Sequence, residues 1–311
     1  MMANTNIEWA TSVWNPTTGC DRVSPGCDNC YALTMAKRLK GMGQAKYQTD
    51  GDPRTSGPGF GLTMHPDVIR EPLRWKKPRR VFVNSMSDLF HTSVTDEFIA
   101  RVWAVMALTP QHTYQILTKR HARMQSLLNR PTFADMIRTE MTHEFGAYTA
   151  LARNGSWKLP LRNVHLGVSV EDQKRADLRI PALLDTPAAV RFLSCEPLLG
   201  PVDLKLAIRT MGSERGHGLT ASYVHAGGCC DNRLHGIDWV IVGGESGRGA
   251  RPLNESWVSK LVADATNAGT AVFVKQLGSV WARQNGASDS KGGKPADWPE
   301  ALRVREHPNT P

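Results

Sequence analysis

Three cysteines, Cys20, Cys27 and Cys30, fall within eleven residues of the stretch NPTTGCDRVSPGCDNCYALTMAKRL, which runs from position 15 to 39. Six residues separate the first pair and two the second. Gly, Pro, Asn and Asp surround them, so the thiols belong on an irregular loop leading into a helix-like segment. Thiolates are soft ligands, and three on one loop point to a bound centre. A structural zinc ion needs a fourth ligand to close its tetrahedron. A 4Fe–4S cluster takes one thiolate per iron, so three cysteines leave one iron open to a substrate or cofactor. His225, Cys229, Cys230 and His235 stand together far along the chain, as a source of a fourth ligand or of a second metal site.

Elements that hold such a loop can be read from periodicity. Apolar, β-branched runs recur at 12–16, 79–91, 113–120, 163–173, 190–200, 238–247 and 271–278. Their apolar parts are short and nearly continuous, as in strands buried on both faces of a parallel sheet. Helical patterns intervene at 95–109, 173–186 and 255–269, with Thr95 as a cap, Gly269 as a stop and Pro181 near a break. The expectation is an α/β chain forming a parallel (β/α) partial or near-complete TIM-like barrel. It is read as a single domain, 1–311, with a lid-like insertion at about 40–70, further insertions at about 131–160 and 207–237, and a loop-like tail at 279–311.

Each strand ends on polar residues: Asp88, Lys119, Ser169 with Glu171, Glu196, Glu245, and Lys275 with Gln276. In such folds sites lie at the C-terminal strand ends, so the repetition suggests a shared pocket. Glu196 and Glu245 are read as facing it and touching substrate, against the plainer reading of a buried ion pair with a residue such as Arg251. Cys195, also at a strand end, is a candidate hydrogen-atom donor or radical relay, although a lone cysteine there is more often a small core residue. The GGESG stretch lacks the spacing of a phosphate loop.

The formal net charge is +9 and the sequence pI about 9.4, a balance that favours an anionic partner, nucleic acid first. LRWKKPRR places Arg74, Lys76, Lys77, Arg79 and Arg80 around Trp75, which suits phosphate contacts and base stacking and equally suits a solvated turn. The opening residues carry no secretory pattern, and no apolar run approaches a membrane span. A cytoplasmic protein without a membrane partner is expected, where clustered cysteines serve metals or catalysis rather than disulfides.

The cysteine stretch resembles the cluster loop of radical S-adenosylmethionine enzymes, in particular the spore-photoproduct-lyase-like branch. Asn15, Pro16, Gly19, Cys20, Cys30, Tyr31 and Ala32 match that branch. Two features depart from it: six rather than three residues separate the first two cysteines, and Asn29 stands where an aromatic residue is usual. Downstream, VNSMSDLFH, LTKR and GVSVED resemble later motifs of the branch in order. The resemblance implies a 4Fe–4S cluster on Cys20, Cys27 and Cys30, with S-adenosyl-L-methionine held by Lys119 and Ser169 and more loosely by Asp88. In physical terms Lys119 suits the cofactor carboxylate, Asp88 its ammonium, and Ser169 or Glu171 its ribose hydroxyls. The whole chain also resembles a phage-associated, three-cysteine-motif family of unknown function, through GVSVE, FLSCEPLLGPV, VIVGGESG and FVKQLG.

The favoured expectation is a radical S-adenosylmethionine enzyme that modifies or repairs a nucleic acid base or nucleotide. It would draw electrons from a donor such as flavodoxin or ferredoxin, with a further protein partner open. The runner-up is a zinc-stabilised nucleic-acid-binding protein of the same fold. A third reading keeps the cluster without cleavage activity.

Overall fold

The computed structural model describes residues 5, 7–145, 157–204 and 236–309. The segment bearing His225, Cys229, Cys230 and His235 lies outside the described residues. Seven strands form a parallel sheet: β1 (Ser12–Trp14), β4 (Arg80–Val83), β5 (Thr113–Thr118), β6 (Val164–Ser169), β7 (Val190–Cys195), β8 (Trp239–Gly243) and β9 (Ala271–Gln276), hydrogen-bonded in that order. A short antiparallel pair, β2 (Thr17–Thr18) and β3 (Thr63–Met64), stands apart. With helices between the strands this is the expected α/β fold of the partial-barrel class, short of the eight strands of a complete barrel. Every residue of β6 and β8 is buried, which is why their sequences read as continuous apolar runs.

Contacts divide the chain into two compact units, the first running to Gly167 and taking in Thr186–Ala189, the second comprising Val168–Asp185 and Val190–Asn309. In the first, α1 (Tyr31–Gly41) follows the cysteine loop, and α2 (Asp96–Leu108) starts where Thr95 Oγ1 accepts from Phe98 N at 3.2 Å. Nine residues of α2 are buried, among them Trp103, whose ring packs on Phe90 and Phe133. Phe133 begins α4 (Phe133–Phe145), which follows α3 (His121–Leu128). Val164 and Leu166 of β6 border an apolar cavity with Trp103, Leu128 and Phe133. His165, between them, points to the other face of the sheet.

Burial pushes the His165 imidazole down to about 4. The unfolded chain therefore binds a proton that the folded chain rejects between about pH 6.5 and 4. The sign follows: stability from this group is complete above pH ~6.5 and is lost as pH falls to ~4, by about 3 kcal/mol. Urea titrations at pH 7 and pH 4.5 are expected to show a clearly smaller loss in His165→Leu than in the native chain, the remainder coming from groups such as the buried His65 and His112.

In the second unit, α5 (Gln173–Leu184) is capped by Asp172, whose Oδ1 accepts from Arg175 N at 3.0 Å. Pro181 sits in its last turn, and the helix ends three residues later. Asn254 caps α6 (Glu255–Asn267), and Gly269, at φ 69°, turns the chain beyond it. The tail expected to be loop-like is folded instead. It contains α7 (Ser279–Gln284), buries Trp298, and returns along β9, where Val274 N donates to Val304 O at 2.9 Å. Arg305 lies over the rings of Phe273 and Trp298. Its Gly and Lys content hid this, because widely spaced side chains, Trp298 and Arg305 among them, do the packing.

Candidate metal centre

The cysteine loop hangs on the ends of β1 and β4. Asn15 Oδ1 accepts from Ser85 Oγ at 3.2 Å and from Met86 N at 3.3 Å. Thr17 N donates to Asn84 Oδ1 at 3.2 Å, and Gly19 N donates to Met86 O at 2.9 Å. Gly19 has φ +87°, and a Cβ there would stand 2.2 Å from Gly61 O, so only glycine fits immediately before the first cysteine. The insertion at 40–70 is tied to the loop: Cys20 N donates to Phe60 O at 3.2 Å, and Thr55 Oγ1 donates to Asp21 Oδ1 at 2.7 Å.

Cys27 closes a 3-10 turn, Pro25–Cys27, and Cys30 occupies the N-cap of α1. Cys20 and Cys30 border the same apolar cluster, built from Ala32, Ala36, Phe60 and Met86. Burial pushes the Cys20 thiol up to about 12; Asp88 adds to this and Arg120 opposes it. Burial also raises Cys30, against the charge of Lys119. Cys27 acts electrostatically on both. Raised in this way, Cys20 and Cys30 are not activated nucleophiles.

Arg120 organises the charges. Its Nη1 donates to Cys20 Sγ and to Asp88 Oδ2, each at 3.2 Å, and its Nη2 donates to Asp21 O at 3.3 Å. Asp88 also accepts from Thr118 Oγ1 at 2.7 Å, Lys119 N at 3.0 Å and Phe90 N at 3.0 Å. Its carboxylate is thus engaged in holding the LTKR turn beside the cysteine loop, which makes it a positioning residue here. Asp21 Oδ2 meets His91 Nε2 at 2.8 Å. Burial works to raise Asp21, but the bonds from Thr55 and His91 prevail and hold it below the usual carboxylate range. Arg120, Asp21 and His91 were not singled out from the sequence. The adjacency of Arg120 to Lys119 was the one available signal.

Among the described residues, no three His, Cys, Asp or Glu side chains converge tightly enough to hold a single metal ion. Sulfurs around one zinc stand about 4 Å apart, given Zn–S bonds of about 2.3 Å. Thiolates on a cluster each take their own iron and stand farther apart. The donor set offers three part-buried thiols, with a guanidinium N–H on the sulfur of Cys20.

The second unit places the other candidates. Arg179 Nη1 donates to Ser169 O and to Glu171 Oε2, both at 2.8 Å, in a buried pair. Cys195 is fully buried, and burial with the charge of Glu171 pushes its thiol up to about 12. Glu196 pairs with Lys275 at 2.5 Å. Glu245 accepts from Arg251 N at 2.9 Å and from two nitrogens of its guanidinium. The last two pairs follow the ion-pair reading of these acids.

Arg74 to Arg80 leads into the start of β4, away from its cysteine-loop end. Trp75 is engaged there, with His112 against its ring at 5.5 Å and Arg79 over it at 5.1 Å. Lys76 and Lys77 are exposed. No helix among the described residues is long and apolar enough to cross a membrane.

The fold is an α/β one of the partial-barrel class, with a three-cysteine loop pinned to the ends of two of its strands. The chain belongs to the family described as "Protein of unknown function (DUF5131)", whose model matches residues 4–303. It matches no curated protein and no solved structure.

Proposed function

We propose that the protein is a radical S-adenosylmethionine enzyme acting on a nucleic acid base or nucleotide. The observation that carries the reading is the loop of Cys20, Cys27 and Cys30 beside Arg120, whose Nη1 donates to Cys20 Sγ at 3.2 Å. A 4Fe–4S cluster bound by these thiols would, with S-adenosyl-L-methionine, supply reductive carbon–sulfur cleavage and a 5′-deoxyadenosyl radical. The residues of this chain do the rest: the cysteines bind, Arg120 stabilises thiolate charge, and Asp88 fixes the turn that carries Lys119 and Arg120. Lys119 is the candidate cation for the cofactor carboxylate, since its charge already reaches Cys30. The basic balance of the chain supports an anionic substrate.

Anaerobically reconstituted protein given S-adenosyl-L-methionine and dithionite tests this. Formation of 5′-deoxyadenosine supports the reading, and iron-loaded protein that forms none counts against it.

Lys76 and Lys77 allow a separate check on the partner. Changing both to Gln is expected to weaken binding to a mixed-sequence oligonucleotide uniformly and to reduce the salt slope by about 2. An unchanged slope in a salt titration removes this run from the interface.

A further inference from the structure

The sheet of the first unit carries, on one face and at the end of β4, buried polar atoms that no hydrogen bond satisfies. They are Gln115 Oε1 and both ring nitrogens of His165 on the face, and Asn84 Nδ2 at the strand end. Asn84, Gln115 and His165 are 4%, 1% and 4% exposed. Strand register makes Gln115 and His165 neighbours. Phe82 pairs with Gln115, and Asn84, at φ 58°, turns the chain just past the end of β4. Tyr114 N donates to Asn163 O at 2.8 Å, which sets His165 beside Gln115 on the next strand. Val164 and Leu166 line the cavity under the helices, so His165 faces away from it.

The two amides are fixed by their other ends. Asn84 Oδ1 accepts from Thr17 N at 3.2 Å, leaving its NH2 as donor. Gln115 Nε2 donates to Trp9 O at 3.5 Å, leaving its oxygen as acceptor. A neutral imidazole adds one donor and one acceptor. Phe82 stands in the same row, with Trp9 edge-on at 4.7 Å. Gly167, two residues past His165, puts no side chain on this face. An orphaned buried polar atom costs free energy, and three on one sheet face, with a fourth at the strand end, are out of keeping with an ordinary core.

We infer that this face is a subsite for a nucleobase of the substrate, read by Gln115 and His165, with the Asn84 amide at the end of β4, and flanked by Phe82 and Trp9. A base presents a donor and an acceptor along one planar edge and π faces to aromatic rings, and it is neutral, as these three side chains are. A phosphate or carboxylate there would lose its water to groups that carry no counter-charge. The inference deepens the proposed function and rests on it for the substrate class. The same edge chemistry occurs in the adenine of S-adenosyl-L-methionine, so the test separates the two sources.

Binding of adenosine, guanosine, cytidine, uridine, thymidine and S-adenosyl-L-methionine is measured by calorimetry on the full chain, before and after iron loading. The variants are Gln115→Leu and His165→Leu. Expected is binding of a nucleoside other than adenosine, weakened about tenfold in each variant. Without ligand at pH 7, the variants should melt at the native temperature or above it, because each loses an orphaned group. Four results would overturn the subsite: no nucleoside bound, unchanged affinity in both variants, binding confined to adenosine and S-adenosyl-L-methionine, or lower melting with affinity intact. Iron content is read alongside. A chain that takes no iron yet binds a nucleoside through these residues keeps the subsite and rejects the radical reading.

Discussion

Serine at Cys20, Cys27 or Cys30 is expected to abolish the metal centre, with iron falling from about four per chain to below about one. The reasoning is geometric and electrostatic. All three thiols sit on one pinned loop, and Cys20 and Cys30 share an apolar cluster that keeps water out. A hydroxyl in place of a thiol is a poor iron ligand and stays protonated. With three protein ligands, loss of one leaves two irons unanchored. Cys195→Ser provides the control. That thiol is fully buried in the second unit, so the change costs stability while leaving the iron content as it was. Iron and sulfide analysis of the four variants after anaerobic reconstitution decides the matter. Retention of full iron in any of the three loop variants would remove that cysteine from the ligand set.

Arg120→Met is the second large effect. The side chain joins Cys20, Asp21 and Asp88, and the Arg120–Asp88 pair is 11% and 8% exposed at the two side chains. Removing the cation leaves a buried carboxylate without its counter-charge, at a cost of 3–5 kcal/mol in comparable pairs. Thr118, Lys119 N and Phe90 N continue to donate to Asp88, which argues for the lower end, about 3 kcal/mol. The variant also loses the N–H donor to Cys20 Sγ. Hydrogen bonds to cluster sulfurs raise the reduction potential, so a loaded cluster in Arg120→Met should be reduced at lower potential than the native one. Arg120→Lys keeps the charge without the fork and should recover part of the stability and little of the potential shift. Urea unfolding separates the first effect from potentiometry of the second. A variant with native stability and native potential would make Arg120 a bystander.

Much of the fold was legible because its signals are local and repeated. Strands buried on both faces must be continuously apolar, and β6 and β8 are. The cap at Thr95 and the stop at Gly269 follow from backbone groups that need a partner or a positive φ. That the cysteines sit on an irregular loop leading into α1 was legible from the Gly, Pro, Asn and Asp around them. What escaped depended on pairing across the chain. Asp88 reads as a free acid until Thr118, Lys119 and Arg120, thirty residues on, are seen to hold it. Glu196 reads as a substrate contact until Lys275, on another strand, is seen to pair with it. The tail reads as loop because Trp298 and Arg305 do its packing from isolated positions. The neighbouring Gln115 and His165 were hidden for the same reason, as strand register alone brings them together.

The most direct test of the central claim is the metal content of the native chain. Protein purified and reconstituted without oxygen should hold about four irons and about four sulfides, with the broad visible absorption of a thiolate-bound cluster. One zinc per chain with no iron would contradict the account and make the three cysteines a structural site.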